Sequence, residues 1–230
     1  MVGFGGQKGG SGKTTSATGM AVMAAKHGLK VMLGDLDLIQ RSAVEWGERR
    51  AASGIKPAIE VRAMTPEAIA KTRELVELLV LDLPGRADKI TYDVAKQADL
   101  LVVVTDANLL ELSPTVHLLH ALKDVDIKSP RVVVALTKVR DADREQEARK
   151  YLKEAGYPAL RDALPDYVSI HDIANDGSAA PDISQPPVAE QVKRFFTGIM
   201  KALERATEPT QEASLQKSKE REKQGRGRER

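Results

Sequence analysis

Residues 7–15 read Gln-Lys-Gly-Gly-Ser-Gly-Lys-Thr-Thr and follow a short apolar segment. Glycines at this spacing let successive backbone N–H groups curve around phosphate oxygens, while a lysine reaches the outer phosphates and a hydroxyl binds Mg²⁺. In the pattern G-x-x-x-x-G-K-[ST], the last three positions are Gly12, Lys13 and Thr14. The first position is glutamine instead of glycine, and an additional lysine, Lys8, precedes the glycine pair. We therefore predict a phosphate-binding loop with an unusual second lysine.

Short β-branched segments alternate with longer helical patterns along the chain, which is typical of βαβ units. The predicted strands are 2–5, 30–34, 59–63, 78–83, 100–105 and 131–137, with a weak one near 158–160. The predicted helices are 14–27, 41–52, 66–74, 89–97, 114–123, 144–155 and 187–206. We expect an α/β fold in which helices cover both faces of a mostly parallel, twisted sheet.

Aspartates stand at the ends of two of these strands. Asp35 and Asp37 follow the second strand, and Asp82 ends the apolar run that begins at Leu78. Ligands of open α/β sheets collect at the carboxyl ends of the strands, so these carboxylates are candidates for metal binding and for orienting a water molecule. The alternative for all three is a structural role, as a polar strand end or a helix cap.

The sequence K-G-G-x-G-K-T of residues 8–14 resembles the deviant Walker A motif of the ParA/MinD family of ATPases. The resemblance implies a P-loop NTPase of the deviant Walker A type, with ATP and Mg²⁺ as cofactors. It also implies that Lys8 reaches the nucleotide of a second subunit, so that ATP lies between the two copies of a homodimer. An ordinary P-loop kinase or GTPase is the looser alternative.

The resemblance assigns roles to individual positions. It implies that the loop binds the nucleotide through Lys8, Gly9, Gly10, Ser11, Gly12, Lys13, Thr14 and Thr15. The implied catalytic residues are Lys8, Lys13 and Asp37, of which Asp37 orients the attacking water. The implied metal-binding residues are Thr14, Asp35 and Asp82. Gly85 is expected to approach the γ-phosphate, and Thr137 and Lys138 to contact adenine.

Two segments are less typical of the family. Family members usually continue with Pro-Gln after the second aspartate, whereas Leu38, Ile39 and Gln40 follow here. Residues 168–177 loosely resemble the segment that completes the base pocket in small ParA proteins. For Lys138, a solvated side chain after a strand is the alternative to a base contact.

Composition divides the chain into two parts. With 230 residues and 42% hydrophobic content, we predict one domain over residues 1–206, which the resemblance implies is a deviant Walker A ATPase domain. The tail, residues 207–230, is expected to be disordered when free, because residues 216–230 carry seven basic and three acidic side chains and no hydrophobic residue. The net charge of the chain is +2, so residues 1–215 have a net charge of −2. The tail either contacts nucleic acid or serves only solubility.

We expect an ATP-hydrolysing dimerisation switch of the ParA type. By the resemblance, its ATP state binds DNA nonspecifically, a centromere-binding or cargo adaptor protein stimulates hydrolysis, and the cycle segregates or positions plasmid or chromosome DNA. A MinD-like membrane-cycling ATPase and a positioning ATPase for conjugation or another cargo are the alternatives. The sequence contains neither a signal peptide nor an apolar run of membrane-spanning length. We therefore expect a cytoplasmic protein, and membrane binding is the less favoured alternative. The resemblance implies nucleoid association in the ATP state.

Overall fold

The computed structural model describes residues 1–86, 89–127, 129–167, 170 and 172–208, and the basic tail from residue 209 lies outside this range. Six parallel strands in the described residues form one sheet in the order β3-β2-β4-β1-β5-β6. The strands are β1 (Val2–Gly5), β2 (Val31–Asp35), β3 (Glu60–Ala63), β4 (Leu78–Asp82), β5 (Leu100–Asp106) and β6 (Val132–Thr137). The central strand β1 thus delivers the glycine-rich loop between the carboxyl ends of β4 and β5.

Helices cover both faces of this sheet. They are α1 (Lys13–Lys26), α2 (Ser42–Ala52), α3 (Ile69–Arg73), α4 (Lys89–Gln97), α5 (Leu109–Asp124), α6 (Ala142–Glu154) and α7 (Val188–Thr207). Side chains of α1, α2 and α7 form one core, and those of α3 to α6 form a second. Strand β4 supplies Leu78 and Val80 to the first core, and Leu79 and Leu81 to the second. Consecutive strand residues point to opposite faces, so both faces are buried and the predicted α/β class is confirmed.

Three element predictions need correction. Helix α5 begins at Leu109 rather than at Pro114, because the Asn108 side chain accepts a hydrogen bond from Leu110 N at 3.0 Å and caps the helix earlier. The predicted helix over residues 66–74 is a 3₁₀ turn, Pro66–Ala68, followed by the short helix α3. The weak strand near residue 159 is reduced to a single bridge between Val134 and Ala159.

Helix α7 packs an apolar stripe into the core. Its buried side chains are Val192, Phe195, Phe196, Ile199 and Ala202. The ring of Phe196 lies directly over Gly19 of α1, where an added Cβ would be 2.1 Å from the ring. The stripe is therefore occupied by contacts with the helix that follows the glycine-rich loop. Within the described residues, no helix is long and apolar enough to cross a membrane.

Candidate nucleotide-binding site

The loop between β1 and α1 has the geometry of a phosphate-binding loop. Gly10 and Gly12 have φ angles of 78° and 90°, which side chains other than glycine rarely adopt. An added Cβ would meet nothing within 4 Å at Gly9 or Gly10, so open space lies above this part of the loop. Helix α1 begins directly after Gly12, which directs its free N–H groups and the positive end of its dipole toward that space. The local backbone thus fits a bound phosphate chain.

The two lysines of the motif have opposite environments. Lys13 is buried, and its Nζ donates a hydrogen bond of 2.8 Å to the backbone carbonyl of Lys8. Burial lowers the pKa of Lys13, although the carboxylates of Asp82 and Asp37 oppose this shift. The side chain of Lys8 is 64% exposed, and it pairs with Glu111 at the start of α5. Lys13 therefore belongs to the loop, whereas the Lys8 ammonium lies outside it.

Asp82 and Thr14 form a pair that fits a Mg²⁺ ion. The Thr14 hydroxyl donates a hydrogen bond of 2.7 Å to Oδ2 of Asp82, while the buried Oδ1 has no hydrogen-bond partner among the described residues. Burial raises the pKa of Asp82 to about 7, although the Thr14 hydroxyl opposes this shift. Mg²⁺ prefers carboxylate and hydroxyl oxygens and keeps several water ligands. The unpartnered Oδ1 of Asp82 and the neighbouring Thr14 hydroxyl are oxygen ligands of the kind that such an ion takes.

Asp35 makes the contacts of a helix cap. Its Oδ2 accepts hydrogen bonds from the backbone N–H groups of Ala43 and Val44 at 2.9 and 3.2 Å, at the start of α2. Its Oδ1 accepts a bond of 3.0 Å from Asp37 N. Burial raises the pKa of Asp35, although these three bonds oppose the shift. These contacts fit the alternative given above, in which Asp35 caps a helix. Asp35 also lines a cavity at the carboxyl edge of the sheet, and its metal-binding role stays a prediction.

Asp37 closes a turn in the loop after β2. Its Oδ1 accepts hydrogen bonds from Ile39 N at 3.2 Å and from Gln40 N at 2.9 Å. The carboxylate lines the cavity at the carboxyl edge of the sheet. In this conformation, however, one of its oxygens is engaged by its own loop. Orientation of a water molecule by Asp37 stays a prediction, and it requires the second oxygen or a rearranged turn.

The predicted site residues gather around one cavity of about 390 Å³ at the carboxyl edge of the sheet. All of them line it except Lys8 and Ser11. Gly85 lies across from the loop, since an added Cβ would be 3.5 Å from Cα of Gly9. Thr137 lies beneath the loop, and its hydroxyl donates a hydrogen bond of 2.7 Å to the Ser11 carbonyl. The base contacts of Thr137 and Lys138 stay predictions.

Sequence reasoning missed part of the cavity wall. Leu164, Pro165 and Asp166 line the cavity, because the segment after α6 returns to the end of β6. Val139 N donates to the Leu164 carbonyl at 3.3 Å, and Asp166 N donates to the Val139 carbonyl at 3.0 Å. These residues match no motif, and no local signal identifies them. Ile170, which also lines the cavity, falls in the segment that the resemblance assigns to the base pocket, of which residues 168, 169 and 171 lie outside the described range.

A second cavity, of about 260 Å³, lies beside the first and shares Pro165 with it. Three arginines line it, Arg140, Arg161 and Arg194, together with three acidic residues, Asp141, Glu145 and Asp162. Arg140 pairs with Asp166, and Arg194 pairs with Asp162 at 3.2 Å. We call this cavity the arginine cleft. It brings together basic side chains from the end of β6, the segment after α6, and α7.

Comparison with known proteins assigns the family. The family model described as the CobQ/CobB/MinD/ParA nucleotide binding domain matches residues 2–180. The chain belongs to this family. The resemblance inferred from the loop motif is thereby confirmed, and the CobQ/CobB/MinD/ParA domain accounts for the nucleotide cavity. The match to the family model ends at residue 180, before α7 and the basic tail.

One relative and several solved structures resemble this CobQ/CobB/MinD/ParA family member. Maintenance of carboxysome distribution protein A from Gloeobacter kilaueensis is 33% identical over 175 residues, which cover 74% of this chain and 78% of the relative. The Pyrococcus furiosus cell division ATPase MinD aligns with a TM-score of 0.71 and 17% identity, covering 87% of this chain and 98% of that one. Apo McdA from Cyanthece aligns with a TM-score of 0.69 and 14% identity, covering 88% and 98%. At these identities the structural matches establish the fold alone.

Proposed function

We propose that this chain is an ATP-hydrolysing dimerisation switch that positions a cargo along DNA. Two ATP-bound copies pair and bind DNA without sequence preference, and a cargo adaptor stimulates hydrolysis, which returns the copies to the free state. The relative named for carboxysome distribution supports a positioning role. The cargo would be a carboxysome or another body, or plasmid or chromosome DNA. The ATP state would then be nucleoid-associated.

The contrast between Lys8 and Lys13 carries this proposal. A P-loop needs one lysine for its own nucleotide, and the buried Lys13 lies within the loop where that lysine is required. Lys8 does not line the cavity of its own chain, and most of its side chain faces solvent. A second cation held outside the cavity has the reach and exposure to neutralise phosphate charge on another copy. This arrangement supports a paired ATP state over an ordinary P-loop kinase.

Hydrolysis is assigned to residues at the inner end of the cavity. Asp82 and Thr14 would hold Mg²⁺, which neutralises charge on the outer phosphates when bound. Lys13 would hold the same phosphates from the loop side. Asp37 would accept a hydrogen bond from the attacking water, and Gly85 would let the backbone approach the terminal phosphate. The metal-binding carboxylate would thus lie at the end of β4, and the water-orienting carboxylate after the end of β2.

DNA contact is assigned to the arginine cleft together with the basic tail. Residues 1–215 have a net charge of −2, so binding to phosphates requires a local concentration of positive charge. Arg161 and Arg194 line one cleft together with Arg140. Lys193 is exposed on α7 but does not line the cleft. Because three acidic residues also line the cleft, its arginines would contact phosphates individually, and the net positive charge would come from the tail.

Nucleotide-dependent binding to a random-sequence DNA duplex tests the switch. Wild type is compared with Lys8→Ala and with Lys71→Ala, an exposed lysine of α3, each with Mg²⁺ plus ATP, ADP or no nucleotide. We expect binding only with ATP, loss of binding in the Lys8 variant, and no change in the Lys71 variant. Equal binding by wild type and Lys8→Ala, or no DNA binding while ATP is hydrolysed, would contradict the proposal.

A charge comparison then separates cleft from tail. Arg161→Glu with Arg194→Glu removes the cleft charge, and replacing the seven basic residues of 216–230 by glutamine removes the tail charge. For every DNA phosphate that the variant no longer neutralises, the slope of log affinity against log salt should fall by about 0.9. A slope unchanged by the cleft variant would leave the tail as the DNA contact, and the reverse result would assign the tail to solubility.

A further inference from the structure

A further cavity, of about 310 Å³, lies at the amino edge of the sheet, opposite the nucleotide cavity. It is lined by Met1, Leu78 and Asp99, which stand at the starts of β1, β4 and β5. Leu203 and Thr207, in the last turns of α7, form another wall. We call this cavity the amino-edge pocket. Because Thr207 is the last residue of α7, the chain that continues from this helix leaves beside the pocket.

The most buried residues that line the amino-edge pocket are apolar. Leu78 and Leu79 are 4% and 1% exposed. The partly buried Val76 and Leu203 border them, and each packs against a different one of the two cores. Leu75, beside Val76, is 52% exposed. An aliphatic side chain that leaves water to fill this recess therefore gains free energy.

The edge of the pocket carries carboxylates that lack a cation. Among the described residues, Arg73 is the one basic side chain that lines the pocket, and it donates hydrogen bonds of 2.8 Å to both oxygens of Asp99. Glu77 and Glu204 also line the pocket and are exposed, and neither makes an ion pair within the part of the chain that the structure describes. The pocket thus fits a segment that has positive charge next to an aliphatic side chain.

The tail of this chain has that pattern. Residues 209–230 contain two hydrophobic residues, Ala213 and Leu215, and Leu215 stands directly before the basic stretch 216–230. Leu215 lies seven positions after Glu208, the residue that follows α7. Seven residues of extended chain reach up to about 25 Å. The tail is therefore long enough to return to the pocket beside which it starts.

Other occupants fit the amino-edge pocket less well. Unpaired carboxylates repel the phosphates of nucleic acid and of anionic lipid. A separate protein must compete with a segment of the same chain, and a short tether gives that segment an effective concentration in the millimolar range. The same advantage favours the chain's own tail over the tail of a second copy.

We propose that Leu215 docks in the amino-edge pocket and that the basic residues after it lie against Glu77 and Glu204. While the tail is docked, carboxylates of its own chain engage these basic residues and withhold them from DNA. DNA phosphates compete for the same positive charges and release the tail. This consequence rests on the proposed function, in which the tail contacts DNA, whereas docking itself does not depend on DNA binding.

Disulfide formation in the full-length chain tests the docking, since the chain has no cysteine of its own. Ser214→Cys, next to Leu215, is combined with Leu75→Cys at the pocket or with Val125→Cys after α5. Leu75 and Val125 are 52% and 48% exposed, so the two thiols are similarly accessible to a free tail. We expect the Leu75 pair to form its intramolecular disulfide faster by about tenfold or more, the preference that burial of one leucine side chain gives.

Added substitutions test what holds the tail. Leu215→Ser should remove the preference for the Leu75 thiol, and Ala213→Ser should keep it. Glu204→Lys should weaken the preference, whereas Glu147→Lys, the same change at an exposed position of α6, should not. Equal rates for the two thiol pairs, or a preference that survives Leu215→Ser, would overturn the inference. Disulfides that form between chains rather than within one would also overturn it and assign the pocket to the tail of a second copy.

A DNA duplex, added with Mg²⁺ and ATP, separates docking from its consequence. It should slow disulfide formation by the Leu75 pair to the rate of the Val125 pair. In the chain without introduced cysteines, Leu215→Ser should raise DNA affinity severalfold, and Ala213→Ser should leave it unchanged. A Leu75 preference that persists while DNA is bound contradicts the competition. A chain that binds no DNA in any state contradicts the proposed function, while a preference for the Leu75 thiol in that chain still supports docking.

Discussion

The Thr14 hydroxyl and the Asp82 carboxylate are joined by a hydrogen bond of 2.7 Å across the base of the nucleotide cavity. They come from different parts of the chain, the first turn of α1 and the end of β4, which lies beside β1 in the sheet. The other carboxylate oxygen is buried without a partner among the described residues. A buried carboxylate with one free oxygen is costly as an anion, so it should be sensitive both to pH and to a cation.

Asp82 should make the metal-free protein less stable as pH rises. Its pKa is about 7 in the folded chain against an ordinary value of 3.8, so the folded state holds the proton more tightly than the unfolded state. This stabilising contribution is complete below the unfolded pKa and is lost as pH rises through the folded value. In EDTA, the melting temperature of wild type relative to Asp82→Asn should therefore fall between about pH 4 and 7 and level off above that range. Parallel curves for the two proteins would contradict the assigned pKa.

Mg²⁺ should reverse this effect, because the ion binds the carboxylate and competes with the proton. Stabilisation of wild type by Mg²⁺ with ADP should grow as pH rises through about 7, the folded pKa of Asp82. Asp82→Asn should show little of this pH-dependent gain. Calorimetry with and without Mg²⁺ at each pH measures it, and an equal gain in the variant would remove Asp82 from the metal site.

Replacing Asp37 should separate ATP binding from hydrolysis. Asp37→Ala should lower turnover by about a hundredfold or more, the ordinary effect of losing a group that accepts a proton from the attacking water. ATP affinity should change little, because Lys13 and the loop hold the phosphates. Asp37→Asn is the matched control for the turn, since its amide oxygen can still accept from Ile39 N and Gln40 N. Wild-type turnover in either variant would show that the carboxylate does not orient the water.

Two helical glycines should respond oppositely to alanine. In Gly19→Ala the new methyl group would meet the Phe196 ring at 2.1 Å, whereas at Gly198 in α7 nothing lies within 4 Å. Overpacking a core costs about 1–3 kcal/mol. Alanine at an open helical position instead stabilises by up to ~1 kcal/mol. Urea unfolding should show a loss for the first variant and none for the second, and equal effects would mean that Phe196 moves freely away from α1.

The two cations around Asp182 should contribute unequally to stability. Asp182 pairs with the buried Arg50 at 2.7 Å and with the partly exposed Lys26 at 2.8 Å. Asp182→Ala leaves the Arg50 charge buried and should cost about 3–5 kcal/mol. Lys26→Ala removes an exposed partner of the same carboxylate and should cost under ~1 kcal/mol. Chemical denaturation measures both, and similar losses would show that Arg50 gains solvent when Asp182 is removed.

Local sequence patterns predict the sheet and the loop well. Six strands appear within about two residues of their predicted bounds, because buried parallel strands are apolar along their whole length. The start of α5 is harder to predict. The helix is capped by Asn108, but Pro114, five residues after the first helical residue, favours a later start in the sequence pattern. The segment over residues 66–74 is short, so its pattern does not distinguish a 3₁₀ turn followed by a short helix from one longer helix.

The predicted phosphate-binding residues can be identified locally, since Gly10, Gly12, Lys13 and Thr14 are recognised by backbone angles and neighbouring positions in one loop. Contacts between distant segments are different, because only the folded sheet brings them together. The pairing of Lys8 with Glu111 and the return of Leu164 to the cavity wall both join residues separated by at least 25 positions. Nothing in their local sequence specifies a partner, so tertiary structure alone decides which surface surrounds the nucleotide.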